Sequence, residues 1–328
     1  HPEVAKFRRD LGRLYAHAGA SDESIDSYHK FIDWSQRYLE NVFPYSSEQQ
    51  KLLWISKYPI TDHTVFSLAL EDGTPQSREL ALEMLLKSKA MVIEAVMAEK
   101  QAAFCHYDDE ILAQIEQLNE VNSEIAGLSM AGGYYIDSLS ALYILKDSLE
   151  VGLSRHCSEF SDALAARRFE VNDVIKSIPD GSVLWEFVRY HPTNLDPTIT
   201  GDAKLGQPRY LAFTVERDGG ITIKDLGDAR TIDSLATTAR DMLYKAQPQI
   251  YSVAAKIAEQ RLNEITSQLY TTLFAPLISD KTDIYISPDG LLNLLPFEML
   301  PTSDGSYVIE NYRISYLSSG RDLLKYKD

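Results

Sequence analysis

The hydrophobic pattern changes period at Pro179-Asp180-Gly181, and this change constrains the fold more than any other feature. Before it, apolar residues recur at helical spacing. After it, short runs alternate as strands do, and Pro-Asp-Gly between them is a strong turn signal. A helical region must therefore precede an α/β region, because strands interleaved with helical stretches demand a sheet covered by helices. Val183 to Tyr190, Tyr210 to Arg217 and Gly220 to Leu226 read as strands. The last two are joined at Asp218-Gly219, a hairpin signal. Helical stretches are expected over Ile232 to Lys245 and Val253 to Leu277. A strand follows at Ile284 to Ser287, then Pro288-Asp289-Gly290, an apolar run closed by Leu295-Pro296-Phe297-Glu298, and a second alternating strand from Val308 to Leu317. Four glycine and proline breakers make Asn194 to Pro208 read as a mobile surface loop.

The helical region has its own punctuation. Leu11-Gly12, Leu14-Tyr15, Gly19, Tyr28 and Phe31 resemble one tetratricopeptide repeat, with Ser24 and Phe31 at positions where that motif prefers alanine. In that motif Gly12 lets two helices approach, and Tyr15 and Tyr28 fill the space between them. One such repeat cannot bury its apolar face alone, so the following helices are expected to cap it and further repeats to precede His1. Thr74-Pro75 opens a long helix to about Cys105 whose apolar residues cover more than one face, as in a helix packed on two sides. Asp108 or Asp109 starts the next, with Ile111, Ile115, Leu118, Ile125 and Leu128 in a 3.6-period stripe. Ala131-Gly132-Gly133 breaks it, a third long helix runs from near Tyr134 to Cys157, and a short one starts near Asn172. The expected organisation is a repeat-like remnant over 1–70, a long-helix bundle over 71–178 and an α/β part over 179–328.

The order strand, Pro288-Asp289-Gly290, leucine block, strand, Ser318-Ser319-Gly320-Arg321-Asp322 resembles the first half of a CHAT domain. This is a caspase-like (clan CD) cysteine peptidase module that usually follows tetratricopeptide repeats. The likeness runs over about Ser182 to Leu324. It implies the pseudo-protease half of a caspase-like α/β domain. The family's catalytic histidine and cysteine lie downstream of the SGRDLL-like segment, and this chain stops at Asp328. The chain itself is therefore expected to be inert and to hold the catalytic half, relaying protein-partner binding on the helices to it. A polypeptide substrate is implied for the full-length protein. The other reading is a catalytically inactive adaptor. Leu291, Leu292, Leu294, Leu295 and Phe297 discriminate: a finished domain buries them itself, whereas a severed one exposes them.

No residue is assigned to a catalytic, cofactor or metal site. Cys105-His106 and His156-Cys157 are the only cysteine–histidine neighbours, and they fall near helix ends. Buried thiols account for them better than catalysis or a zinc site, since a caspase-like dyad comes from separate strand ends and adjacent helical residues point about 100° apart. No GxSxG elbow, Walker loop or GxGxxG occurs. His191 reads as a surface residue at a loop entrance. An α/β hydrolytic site from Asp289, His191 and tyrosine or serine side chains would need a pocket joining them. Asp322 suits a helix N-terminus, and Arg321 is expected to face solvent rather than to order a neighbouring catalytic half. A formal charge of −16 disfavours nucleic acid. Two cysteines make no disulfide framework, and no signal peptide or membrane span is evident, so a cytoplasmic chain is the default. The oligomeric state is not encoded legibly.

Overall fold

The computed structural model describes residues 2–42, 49, 53, 61–102, 109–130, 136–155, 169–199, 201–246 and 253–326. Helices come first: α1 (Pro2–His17), α2 (Ser21–Val42), α3 (His63–Asp72), α4 (Pro75–Ala102), α5 (Asp109–Met130), α6 (Ile136–Arg155) and α7 (Val171–Ser177). The α/β part then follows as β1 (Ser182–Tyr190), β2 (Arg209–Glu216), β3 (Ile221–Asp228), α8 (Ala229–Ala246), α9 (Val253–Leu269), β4 (Asp283–Ser287), α10 (Val308–Asn311) and β5 (Arg313–Tyr316). A helical region ahead of a small mixed sheet is thus the architecture. No helix among the described residues is long and apolar enough to cross a membrane.

The chain divides into two compact units. One comprises His1–Leu11, Asp26–Thr61 and Lys87–Phe169. Tyr28, Phe31 and Ile32 of α2 are buried, as are Leu118 and Val121 of α5, which packs on α6. Much of α6 is less covered: Tyr143, Ile144 and Leu145 are exposed. The second unit comprises Gly12–Ile25, Asp62–Leu86 and Glu170–Asp328. In it Ser24 is buried and donates from Oγ to the Gly12 carbonyl at 2.8 Å, so the hydroxyl is satisfied. Leu80, Leu82, Met84, Leu85 and Leu86 of α4 are all buried, as a helix covered on several sides requires.

The sheet has the order β3-β2-β1-β4-β5. β1 pairs antiparallel with β2 and parallel with β4, and β5 continues parallel to β4. Because side chains alternate, Val183, Trp185 and Phe187 share one face with Tyr210, Ala212, Ile284 and Ile286. The helical layer of α8 and α9 packs there. Phe274, in the π-helical turn Tyr270–Phe274 that extends α9, meets Trp185 edge-on at 4.8 Å between ring centroids. Each such buried aromatic contributes about 1.5–3 kcal/mol of apolar burial. On the opposite face lie Leu184, Glu186, Val188 and Tyr190. Phe66 of α3 stacks edge-on against Tyr190 and Phe213, and α7 packs on the terminal 3₁₀ turn Gly320–Tyr326.

Two local expectations are corrected, and the leucine block divides between the two outcomes set for it. Val308–Asn311 is a helical turn, and the strand begins only at Arg313. Glu310 accepts from the Tyr307 amide at 2.7 Å, and this side-chain cap outcompetes the strand ladder. The loop from Asn194 is tied down: Thr193 bridges to Leu205, the Asn194 amide donates to the Lys204 carbonyl at 2.8 Å, and Leu195 packs with Ala16 and Leu68. In the leucine block, Leu292, Leu295, Phe297 and Leu300 join the sheet's own core, whereas Leu291 and Leu294 are exposed. Successive 3₁₀ turns over Gly290–Leu294 and Phe297–Met299 produce that alternation.

Candidate functional site

In a sheet with parallel strands the carboxyl ends are where loops from separate strands converge. Here β1, β4 and β5 end in Tyr190, Ser287 and Tyr316. After β4 the chain enters Pro288-Asp289-Gly290. Asp289 accepts from its neighbour, the Gly290 amide, at 2.9 Å and from the Arg189 amide at 2.7 Å, so both carboxylate oxygens are engaged. Gly290 has φ +55° and lies under Tyr210. The Tyr210 hydroxyl donates to Asp233 at 2.6 Å and accepts from the Leu291 amide at 3.3 Å. Arg189 completes the ring with an Nε bond of 3.2 Å to Asp233. Burial, then the bond to Asp233, raises the Tyr210 phenol above its ordinary range. Tyr210 is therefore a neutral donor, and this cluster fastens the turn after β4 to the hairpin and α8; it holds no activated nucleophile.

The exit from β5 is drier. Glu186, in the middle of β1 and fully buried, accepts from the Gly320 amide. Asp322 accepts from the Ser318 and Ser319 amides at 3.0 and 3.3 Å. Two carboxylates thus hold three successive N–H groups, as negative charge does at a helix start. Ser287, also fully buried and beside Glu186 across the β1–β4 pair, donates to the Ser318 carbonyl at 3.2 Å. Arg321 is partly buried, where solvent exposure was expected, and burial lowers its pKa against the opposing pull of Asp322. At the outer edge, Tyr316 accepts from the Phe297 amide at 2.8 Å and donates to Glu298 at 2.6 Å, fixing the end of β5 to the leucine block.

The segment that carries both turns has a recognisable relative. Residues 263–328 match the CHAT domain. No curated protein and no solved structure gives a match. The CHAT match begins inside α9 and takes in β4, the Asp289 turn, the leucine block, β5 and the Gly320 turn. β1, β2 and β3 precede it.

Of the sequence candidates, Cys105, His106, His156 and Cys157 lie outside the described residues. Asp289 is drawn to Arg189. His191 bonds instead to His63, whose Nδ1 accepts from its amide at 2.8 Å, and its own Nδ1 lies 3.2 Å from the Gly206 carbonyl. Ser318 and Ser319 serve the turn through their backbone. Among the described residues no group of three or more His, Cys, Asp or Glu side chains could hold a metal ion. Sequence reading missed Glu186, Tyr210, Asp233 and His63. For His63 a signal existed: Asp62 before an apolar run ended by Gly73 is a capped helix, and Asp62 does accept from the Thr64 amide at 3.0 Å.

Proposed function

We propose that this chain is the non-catalytic front of a CHAT-type, caspase-like cysteine peptidase. On this reading its helices, the first pair resembling a tetratricopeptide repeat, bind a protein partner in the cytoplasm. The α/β unit carries that event to a protease half, which cleaves a polypeptide through a histidine–cysteine dyad. The observation that carries the reading is the state of β5. It is an edge strand, four residues long and mostly exposed, yet its far end is braced through Tyr316 and its exit through Glu186. A braced, parallel edge is a ready template for a further strand. The test compares this chain with the full-length gene product against a fluorogenic peptide library. The chain alone is expected to be inert and the full-length product active through a thiol. Thiol-dependent activity of this chain that disappears with Cys105→Ala or Cys157→Ala would overturn the proposal.

One observation favours a second reading, a catalytically inactive adaptor. Of the five discriminating residues, Leu292, Leu295 and Phe297 are buried within the unit itself, as a finished domain requires, while Leu291 and Leu294 are exposed. Hydrogen exchange of the β5 amides separates the two. Protection that rises in the full-length product supports the front-half reading, and unchanged protection supports the adaptor.

A further inference from the structure

Beyond the β5 edge, the carboxyl end of β1 carries a second device. His63 opens α3 and His191 follows β1, and their imidazoles stack with centroids 5.8 Å apart and planes 9° from parallel. The His191 backbone amide donates to His63 Nδ1 at 2.8 Å. A backbone N–H can only donate, so His63 Nδ1 must be unprotonated for this bond to exist. Tyr190 and Phe66 lie edge-on or tilted against the His63 ring, 6.5 and 6.4 Å away. His63 is partly buried, and this aromatic packing reduces the water that can solvate a charged imidazole.

We infer that His63 and His191 form a proton-sensitive latch, closed while His63 is neutral, that holds the segment leaving β1 against α3. The groups facing His63 are Asp62 at the N-cap of α3, Arg13 from α1, His191 after β1 and Asp289 after β4. Burial first, then His191 and Arg13, lower its pKa below the ordinary 6.5, while Asp62 and Asp289 pull the other way. Asp62 is itself engaged by Arg13 at 2.7 Å, and Asp289 by the Arg189 amide. Because the folded value is lowered, the latch contributes its full stability above about pH 6.5 and loses it as pH falls through the folded pKa. Neighbouring ties do not depend on this proton: the Thr193 amide donates to Ser67 Oγ at 2.8 Å. Opening is therefore local, at His191, with Thr193 still held. This inference stands whether or not the sheet accepts further strands.

The experiment is amide hydrogen exchange of the intact chain at pH 7.5 and 5.0, read as protection factors, with a ¹⁵N spectrum of the His63 ring. Protection at His191 is expected to fall at least tenfold at pH 5.0, with Thr193 changing less and His63 Nδ1 unprotonated at pH 7.5. His63→Asn, whose amide oxygen can accept the same bond, should keep protection equal at both pH values. Unchanged wild-type protection at His191, or a His63 Nδ1 that carries a proton at pH 7.5, would sink the latch. The wild-type measurements decide this even if the variant does not fold.

Discussion

The turns that follow β4 and β5 look alike in sequence and differ in what holds them. Each leaves a parallel strand of one sheet, contains a glycine and is fastened by a carboxylate. After β4 the carboxylate is local: Asp289 bonds its own turn and the end of β1, and Gly290 sits in the left-handed region at φ +55°. After β5 the local carboxylate, Asp322, is joined by one from beneath: Glu186 projects from the sheet's central strand into the backbone at Gly320, a position with ordinary φ. The first glycine is needed for its backbone angle and the second for its missing side chain. A buried bond to a charged acceptor is worth more than a half-exposed one, and its removal leaves an unsatisfied group where water cannot reach. The β5 exit is accordingly the stiffer of the two.

Substitutions can break this ranking. The largest effect is expected from Gly320→Ala. Its Cβ would lie 2.5 Å from Leu184 Cδ2 and 2.9 Å from Glu186 Oε1, and Leu184 is fully buried with nowhere to move. Overpacking together with the displaced Glu186 bond should cost about 3–4 kcal/mol in urea unfolding. Glu186→Ala should cost about 3 kcal/mol, from a cavity and an orphaned Gly320 amide. Glu186→Gln keeps an acceptor and should lose only about 1 kcal/mol. A loss from Glu186→Gln as large as from Glu186→Ala would mean that the charge, rather than the bond, matters. Should Gly290→Ala prove costlier than Gly320→Ala, the comparison of the two turns is inverted.

These contrasts explain what was legible. Val183 to Tyr190 and the Asp218-Gly219 hairpin announce themselves because alternation and turn chemistry are local. Val308 to Leu317 alternates well enough for a strand, yet the Glu310 bond to the Tyr307 amide and the Tyr312 amide on the Val308 carbonyl close its start into a helical turn. The latch joins residues 128 apart in sequence, and no periodicity predicts such a pair. Glu186 lay hidden in a strand that reads as apolar; that it meets Gly320 depends on a crossing of the terminal turn over β1, which the order of elements alone does not fix.

The smallest predicted effect, a coupling of about 0.5–1 kcal/mol between Tyr210 and Gly290, is also the most discriminating. Tyr210→Phe removes the hydroxyl that bonds Asp233 and the Leu291 amide and should cost about 1–1.5 kcal/mol. Gly290→Ala should cost about 2 kcal/mol, part from a non-glycine residue at positive φ. The other part comes from its Cβ, which would lie 2.7 Å from the Tyr210 hydroxyl and 3.2 Å from Arg189 Cδ. In the double variant the hydroxyl is already gone, so its clash vanishes, and the backbone strain and the 3.2 Å approach to Arg189 Cδ remain. The two losses should therefore fall short of additive by about 0.5–1 kcal/mol, a coupling expected of touching residues. At Gly320 the analogous cycle with Glu186→Ala, which removes the carboxylate, should relieve little, because Leu184 still blocks the Cβ from the other side. If both cycles gave equal coupling, steric pressure from the carboxylate would dominate after β5 as the hydroxyl does after β4, and the two turns would be variants of one device.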